Sequence, residues 1–281
     1  PPGPTRGAEP PALPPEPDGL ILSGHVDDLS LRIDTVDLAR DDLRMSAKGW
    51  LQALTNVPRL DLKVDLTGKN LRAVDYFQDI TVPGTDRFQA SGRLRGLASA
   101  PDLQDLEAEA ELGGIVARVR GRLPDVLNSR RFQLSGVIEG DDLSRLGHIY
   151  GQDWPMTRSF SLRTQGSGAW ESPRLDDIQG SLILPEGEMK ISGRIGDLLQ
   201  PRDVYLDVQA TAESLVPLLP WGGRAWERLG QATASFTLSG GPDSYEMEIE
   251  HLGAGNTKLQ GRFNANWVDG RLGRLRGSLV D

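Results

Sequence analysis

From Leu60 onward the chain alternates apolar and polar residues with a period of two: Leu60, Leu62, Val64 and Leu66 are separated by Asp61, Lys63 and Asp65. Such alternation marks a β-strand with one apolar face, because successive side chains leave opposite sides of the pleat. The pattern returns in FQLSGVIEGDDL, with Phe132, Leu134 and Ile138, and in VYLDVQATAESL, with Val204, Leu206, Val208 and Ala210. All three rows have the same parity. A one-residue slip would turn a row over, so the shared parity predicts that the three strands point their apolar rows the same way. Further strands are predicted at Phe88 and Ala90 with Phe160 and Leu162, at Leu106–Leu112 with Ile178–Leu184, and at Ala117 and Val119 with Met189 and Ile191. Gly-rich breaks such as Gly113-Gly114 read as hairpin turns.

These elements recur at a fixed interval. Gly24, Gly96, Gly168 and Gly240 are 72 residues apart, as are Leu71, Leu143 and Leu215, and Gly49, Gly121 and Gly193. A fourth copy of the last set, Gly261, comes four residues early, which a loop deletion explains. Gly and Leu are common, but several families of matches sharing one offset are hard to obtain by chance. The expected organisation is one continuous β domain: a partial unit at 18–57, then units at 58–129, 130–201 and 202–281, each of about four strands and one short helix. The helices are predicted after the first strand of each unit, at Leu71–Phe77, Leu143–Tyr150 and Leu215–Trp221. Asn70, Asp142 and Ser214 precede them as N-caps, whose side-chain oxygens accept an orphan helix N–H. Helices of two turns can edge a sheet but cannot cover it.

Residues 1–17 hold 8 of the 19 prolines and almost no large apolar side chain, so they read as a disordered linker rather than as part of the core. A Pro-rich ligand for an SH3 or WW domain is the weaker reading. The chain begins at Pro, not Met, and is expected to be a piece of something longer. No run approaches the ~18 apolar residues of a transmembrane helix, and no basic-then-apolar signal segment opens the sequence.

Charge and composition narrow the chemistry. The net charge of −9 argues against nucleic acid as a partner, because phosphate binding needs clustered positive charge. The absence of Cys removes disulfides, zinc–thiolate sites, iron–sulfur clusters and thiol catalysis together. His25, His148 and His251 are far apart and form no metal-ligating pair, and Gly166-Ser167-Gly168 lacks the strand–turn–helix setting of a nucleophile elbow. No phosphate-cradling Gly loop occurs. The adjacent pairs Asp27-Asp28, Asp41-Asp42, Asp141-Asp142 and Asp176-Asp177 are expected in turns and caps, since neighbours in a strand point to opposite faces and cannot converge on one atom. The six Trp are not at equivalent positions, so carbohydrate stacking and a glycan hydrolase have little support. No cofactor, no metal and no catalytic residue is expected.

A sheet of 16 or 17 strands would be roughly 80 Å long, and its apolar face has no helical layer to cover it. It must roll until its own side chains fill it, pair with a second sheet, or curl into a trough occupied by an apolar ligand. The ordered sequence of an apolar strand, GKNL or GDDL, a short helix, FxxSG, a DL-led strand and a closing xGxL resembles the AsmA-like family of Gram-negative envelope proteins. Here it is carried by LDLKVDLTGKNLRAVDYF, FQASGRLRG, LQDLEAEAELGG and ARVRGRL, and again by FQLSGVIEGDDLSRLGHIY and LDDIQGSLILPEGEMKISGRIG, over residues 18 to 281.

That resemblance implies a mostly β fold: a long, curled antiparallel sheet with an open, taco-like groove, similar to bridge-like lipid transfer proteins. It implies a non-catalytic conduit in the periplasm, anchored at the inner membrane in the full-length protein, that moves phospholipid toward the outer membrane. Phospholipid and envelope proteins are the implied partners, nucleic acid is not, and a monomer is expected. The groove lining is expected to be Leu60, Leu62, Val64, Leu66, Phe88, Phe132, Leu134, Ile138, Phe160, Leu162, Val204, Leu206 and Val208. A self-filled repetitive scaffold would show the same alternating rows, and the sequence leaves that structural reading open.

Overall fold

The computed structural model describes residues 19–27, 30–40, 42–52, 57–71, 85–150, 154–213, 231–254, 257–268 and 271–280. The strands, in chain order, are β1 (Gly19–Asp27), β2 (Ser30–Arg40), β3 (Leu43–Gln52), β4 (Arg59–Gly68), β5 (Arg87–Leu97), β6 (Ala100–Leu112), β7 (Ile115–Leu123) and β8 (Arg131–Gly140). After the helix α1 (Ser144–Tyr150) come β9 (Ser159–Ala169), β10 (Ser172–Leu184), β11 (Gly187–Ile195), β12 (Val204–Ala212), β13 (Ala232–Gly241), β14 (Ser244–Ala254), β15 (Thr257–Val268) and β16 (Arg271–Val280). Strands make up 77% of the described residues.

All sixteen strands form one antiparallel sheet in which spatial order follows chain order, and the sheet does not close into a barrel. The linker expected at 1–17 and the helices expected at Leu71–Phe77 and Leu215–Trp221 lie outside the described residues, apart from Leu71 itself. Strands β4 to β7 and β8 to β11 have matching bounds: Arg59, Arg87, Ala100 and Ile115 open the first four strands, and Arg131, Ser159, Ser172 and Gly187, each 72 residues on, open the next four.

Two local features explain where strands turn and bend. Gly113 and Gly114, both at positive φ (55° and 84°), make the two-residue turn between β6 and β7, as a primed hairpin turn requires. Within β6 and β10 the pairing register shifts, and Asp105 and Asp177 take φ of 50° at those bulges. The Asp176-Asp177 pair therefore lies inside a strand and not in a turn, a correction to the sequence expectation. The reason is that Asp tolerates the left-handed conformation a bulge demands. Asp141-Asp142 does serve as a cap, with the Asp142 carboxylate accepting the Ser144 N–H at 3.0 Å.

The connection that carries α1 is anchored by Thr157. Its hydroxyl accepts the Leu143 N–H at 2.9 Å and donates to the Asp141 carbonyl at 2.8 Å. Thr85, 72 residues earlier, repeats both bonds, to the Leu71 N–H at 3.0 Å and the Lys69 carbonyl at 2.7 Å. Thr157 is buried. Thr157→Val should therefore strand a buried N–H and a carbonyl, at a cost of about 1–3 kcal/mol. Amide hydrogen exchange across 143–150 should accelerate while exchange in β8 stays slow, and unchanged protection of α1 would contradict this.

Candidate functional site

In an antiparallel sheet, residues directly opposite each other on neighbouring strands present their side chains on the same face. Starting at Gly68 in β4, direct partners run Phe88, Ala110, Ala117, Ile138, Leu162, Gly180, Ile191, Val208, Phe236, Ile249, Gly261 and Leu279. This unbroken row crosses thirteen strands, from β4 to β16, and contains no polar side chain. A parallel row flanks it. Leu62 lies between Gly49 and Leu94, Leu134 between Gly121 and Gly166, and Leu206 between Gly193 and Leu238.

All thirteen residues expected to line the groove thus share one face. Phe88, Phe132, Phe160, Val204 and Val208 are buried, and the first four stand within two residues of a strand end. Leu60, Leu62, Val64, Leu66, Leu134, Ile138, Leu162 and Leu206 are only half-buried. The apolar face is therefore better covered at its margins than along its middle. No large side chain among the described residues is completely buried. At the margin, Gly68 and Gly140 make room for aromatic rings: a side chain at either would meet Phe88 or Phe160 within 3 Å. On the opposite margin the Phe132 ring stacks on Trp170 with centroids 4.4 Å apart.

The helix cannot roof this face. Seven residues make a rod about 10 Å long, whereas sixteen strands span roughly 70 Å. Strands of nine to thirteen residues are about 30–43 Å long, and the acyl chains of one leaflet are about 15 Å deep, so the face is wide enough to hold chains even when curled.

The opposite face is polar and laced with ion pairs between neighbouring strands. Arg118 reaches Glu109 at 2.9 Å and Glu139 at 3.1 Å, Arg120 reaches Glu107 at 3.3 Å, and Arg262 reaches both Glu246 and Glu248. Most of these carboxylates are exposed. Asp61 is different, with 7% side-chain exposure and both Arg93 and Arg95 beside it. The Arg93 guanidinium engages both carboxylate oxygens, with Nη2 donating to Oδ2 at 2.8 Å and Nε to Oδ1. This hydrogen bonding holds the Asp61 carboxyl below its usual range against the opposing effect of burial. A depressed folded-state pKa adds stability above the unfolded pKa of about 3.9, and that stability is lost as pH falls through the folded value. The melting-temperature advantage over Asp61→Asn should be constant at neutral pH and shrink only in the acid range. An advantage independent of pH would rule out the ion pair as its source. Sequence patterning did not single out Asp61, because an acid between two leucines is the ordinary polar position of a half-exposed strand.

No catalytic constellation assembles among the described residues. His25 pairs with Asp34 at 3.1 Å on an exposed strand, His251 lies 3.0 Å from the Thr233 hydroxyl, and among the described residues no group of three or more His, Asp or Glu could hold a metal. No described helix is long and apolar enough to cross a membrane. Compared with protein-family models, curated proteins and solved structures, the chain matches none.

Proposed function

We propose that this chain is a non-catalytic segment of a lipid conduit of the AsmA-like kind, in which the apolar face forms a groove that holds phospholipid acyl chains. The observation that carries this reading is the unbroken apolar row from Gly68 to Leu279 on a face that no described helix covers and whose middle is half-exposed. Large twisted sheets coil, and coiling would turn this face into a trough. Its building block is the 72-residue unit, supported by the matching bounds of β4–β7 and β8–β11 and by the repeated Thr85 and Thr157 anchors.

The energetics require a continuous lining. Each CH₂ moved from membrane to water costs about 0.8 kcal/mol, so two bare acyl chains would cost on the order of 20 kcal/mol. A trough lowers that cost only where apolar atoms meet the chains, and one polar gap would raise a local barrier. The row has none. Head groups would stay in water along the open side.

In this reading the protein works as a monomer in the periplasm, with the full-length protein anchored to the inner membrane, and supplies phospholipid to the outer membrane together with other envelope proteins. The rival, a self-filled scaffold, would bury the face throughout, whereas eight of its thirteen expected lining residues are only half-buried.

The test is lipid capture. Protein purified without detergent should carry phospholipid detectable by native mass spectrometry, and should extract fluorescent phospholipid from vesicles. A chain that neither carries nor extracts lipid overturns the proposal.

A further inference from the structure

On the polar face, away from the apolar row, Lys48 of β3 sits directly opposite Lys63 of β4, and Lys63 directly opposite Arg93 of β5. Like charges placed opposite each other on neighbouring strands destabilise a sheet, so such a row works against folding. The row is particular to this place. The positions 72 residues on hold Arg120, Ser135 and Gln165, and those after them Ser192, Asp207 and Thr237. The scaffold therefore does not need three cations in register.

The three side chains line an open cavity of about 440 Å³. Ser91 adds a hydroxyl, Trp50 stands beside them at 41% exposure, and Asp105 lies at the same cavity. Three cations face two carboxylates in the lining, Asp61 and Asp105, so a net positive charge remains. Asp61 is held by the Arg93 guanidinium, which fixes that group in place, and Arg95 approaches the same carboxylate at 3.7 Å. Lys63 has only a 3.9 Å approach to Asp65, and Lys48 has no ion pair among the described residues. Two ammonium groups and an oriented guanidinium thus surround a concave space with an exposed aromatic ring beside it.

We infer that this cavity binds a phosphate group carried on a sugar ring. Lysine ammoniums take phosphate as point charges and a fixed arginine adds directed N–H donors. The flat indole offers the sugar an apolar surface. The site is independent of the lipid groove, which uses the other face.

Calorimetric titration of the purified chain with inorganic phosphate, glucose and glucose 6-phosphate tests it, at ionic strength matched with sodium chloride. Glucose 6-phosphate should bind most tightly. The double variant Lys48→Gln, Lys63→Gln should weaken it by roughly tenfold or more. It should melt no lower than the parent, since the like-charge row is gone. Lys48→Arg with Lys63→Arg should keep binding, and Trp50→Leu should erase the advantage of glucose 6-phosphate over inorganic phosphate. The phosphate has two sources, a soluble sugar phosphate or a lipid head group. Flotation with phosphatidylcholine vesicles, with and without a phosphorylated glycolipid, separates them: vesicle binding lost in the double variant assigns a head group, and calorimetric binding alone assigns the soluble compound. No binding in either arm, or equal binding by the parent and the double variant, overturns the inference.

Discussion

Leu134→Asp should give a folded protein that no longer carries phospholipid. Leu134 is half-buried, and both of its direct cross-strand partners are glycines, Gly121 and Gly166, so no tightly packed side chain loses its opposite number. With water above the face, the empty protein should tolerate the carboxylate at a cost of about 1–2 kcal/mol. An acyl chain lying over the same spot would strip that water away, and an unpaired carboxylate in apolar surroundings costs several kcal/mol. Lipid co-purification should therefore collapse, while the melting temperature falls by only a few degrees. An unfolded variant would favour the self-filled scaffold. A folded variant still loaded with lipid would show that this row is not the lipid path.

The largest loss of folding stability is expected from Gly121→Ala. Gly121 has φ of +150°, a conformation that side chains disfavour, and a Cβ there would run into the Gln133 carbonyl of the neighbouring strand. Gly49 and Gly193 meet the same obstacle at the Asp61 and Tyr205 carbonyls, with φ of +149° and +148°. Strain and clash together should cost about 3 kcal/mol, because relief requires β7 and β8 to part where they are hydrogen-bonded. Gly136→Ala is the control. Its nearest obstacle is the Arg118 carbonyl at 3.8 Å, so alanine should be neutral or stabilise by about 0.5 kcal/mol. Urea unfolding of the two variants should separate them clearly, and equal midpoints would remove the backbone argument.

The strands and the side each residue faces were legible in the sequence because a period of two survives any uncertainty about turns: Leu62, Leu134 and Leu206 occupy one face whatever the loops do. The bulges were not legible. Asp176-Asp177 looks like turn chemistry, and only the paired strands reveal that β10 runs through it with a register shift. Register also hid the cation row, since Lys48, Lys63 and Arg93 are distant in sequence and become neighbours only when three strands are aligned. Curvature is a property of accumulated twist across many strands, which no local pattern encodes.

Because every strand bonds only to its predecessor and its successor, the sheet behaves as a nearly one-dimensional chain of hairpins. Its folding needs no distant segments to meet, which keeps contact order low relative to chain length and favours zippering outward from whichever hairpin forms first. Local damage should then stay local in a way a closed barrel would forbid: a lesion in β7 leaves two shorter sheets, each bounded by a newly exposed edge. Such an edge is itself a template for pairing, so partial failure would express itself as strand exchange between molecules before it became global unfolding.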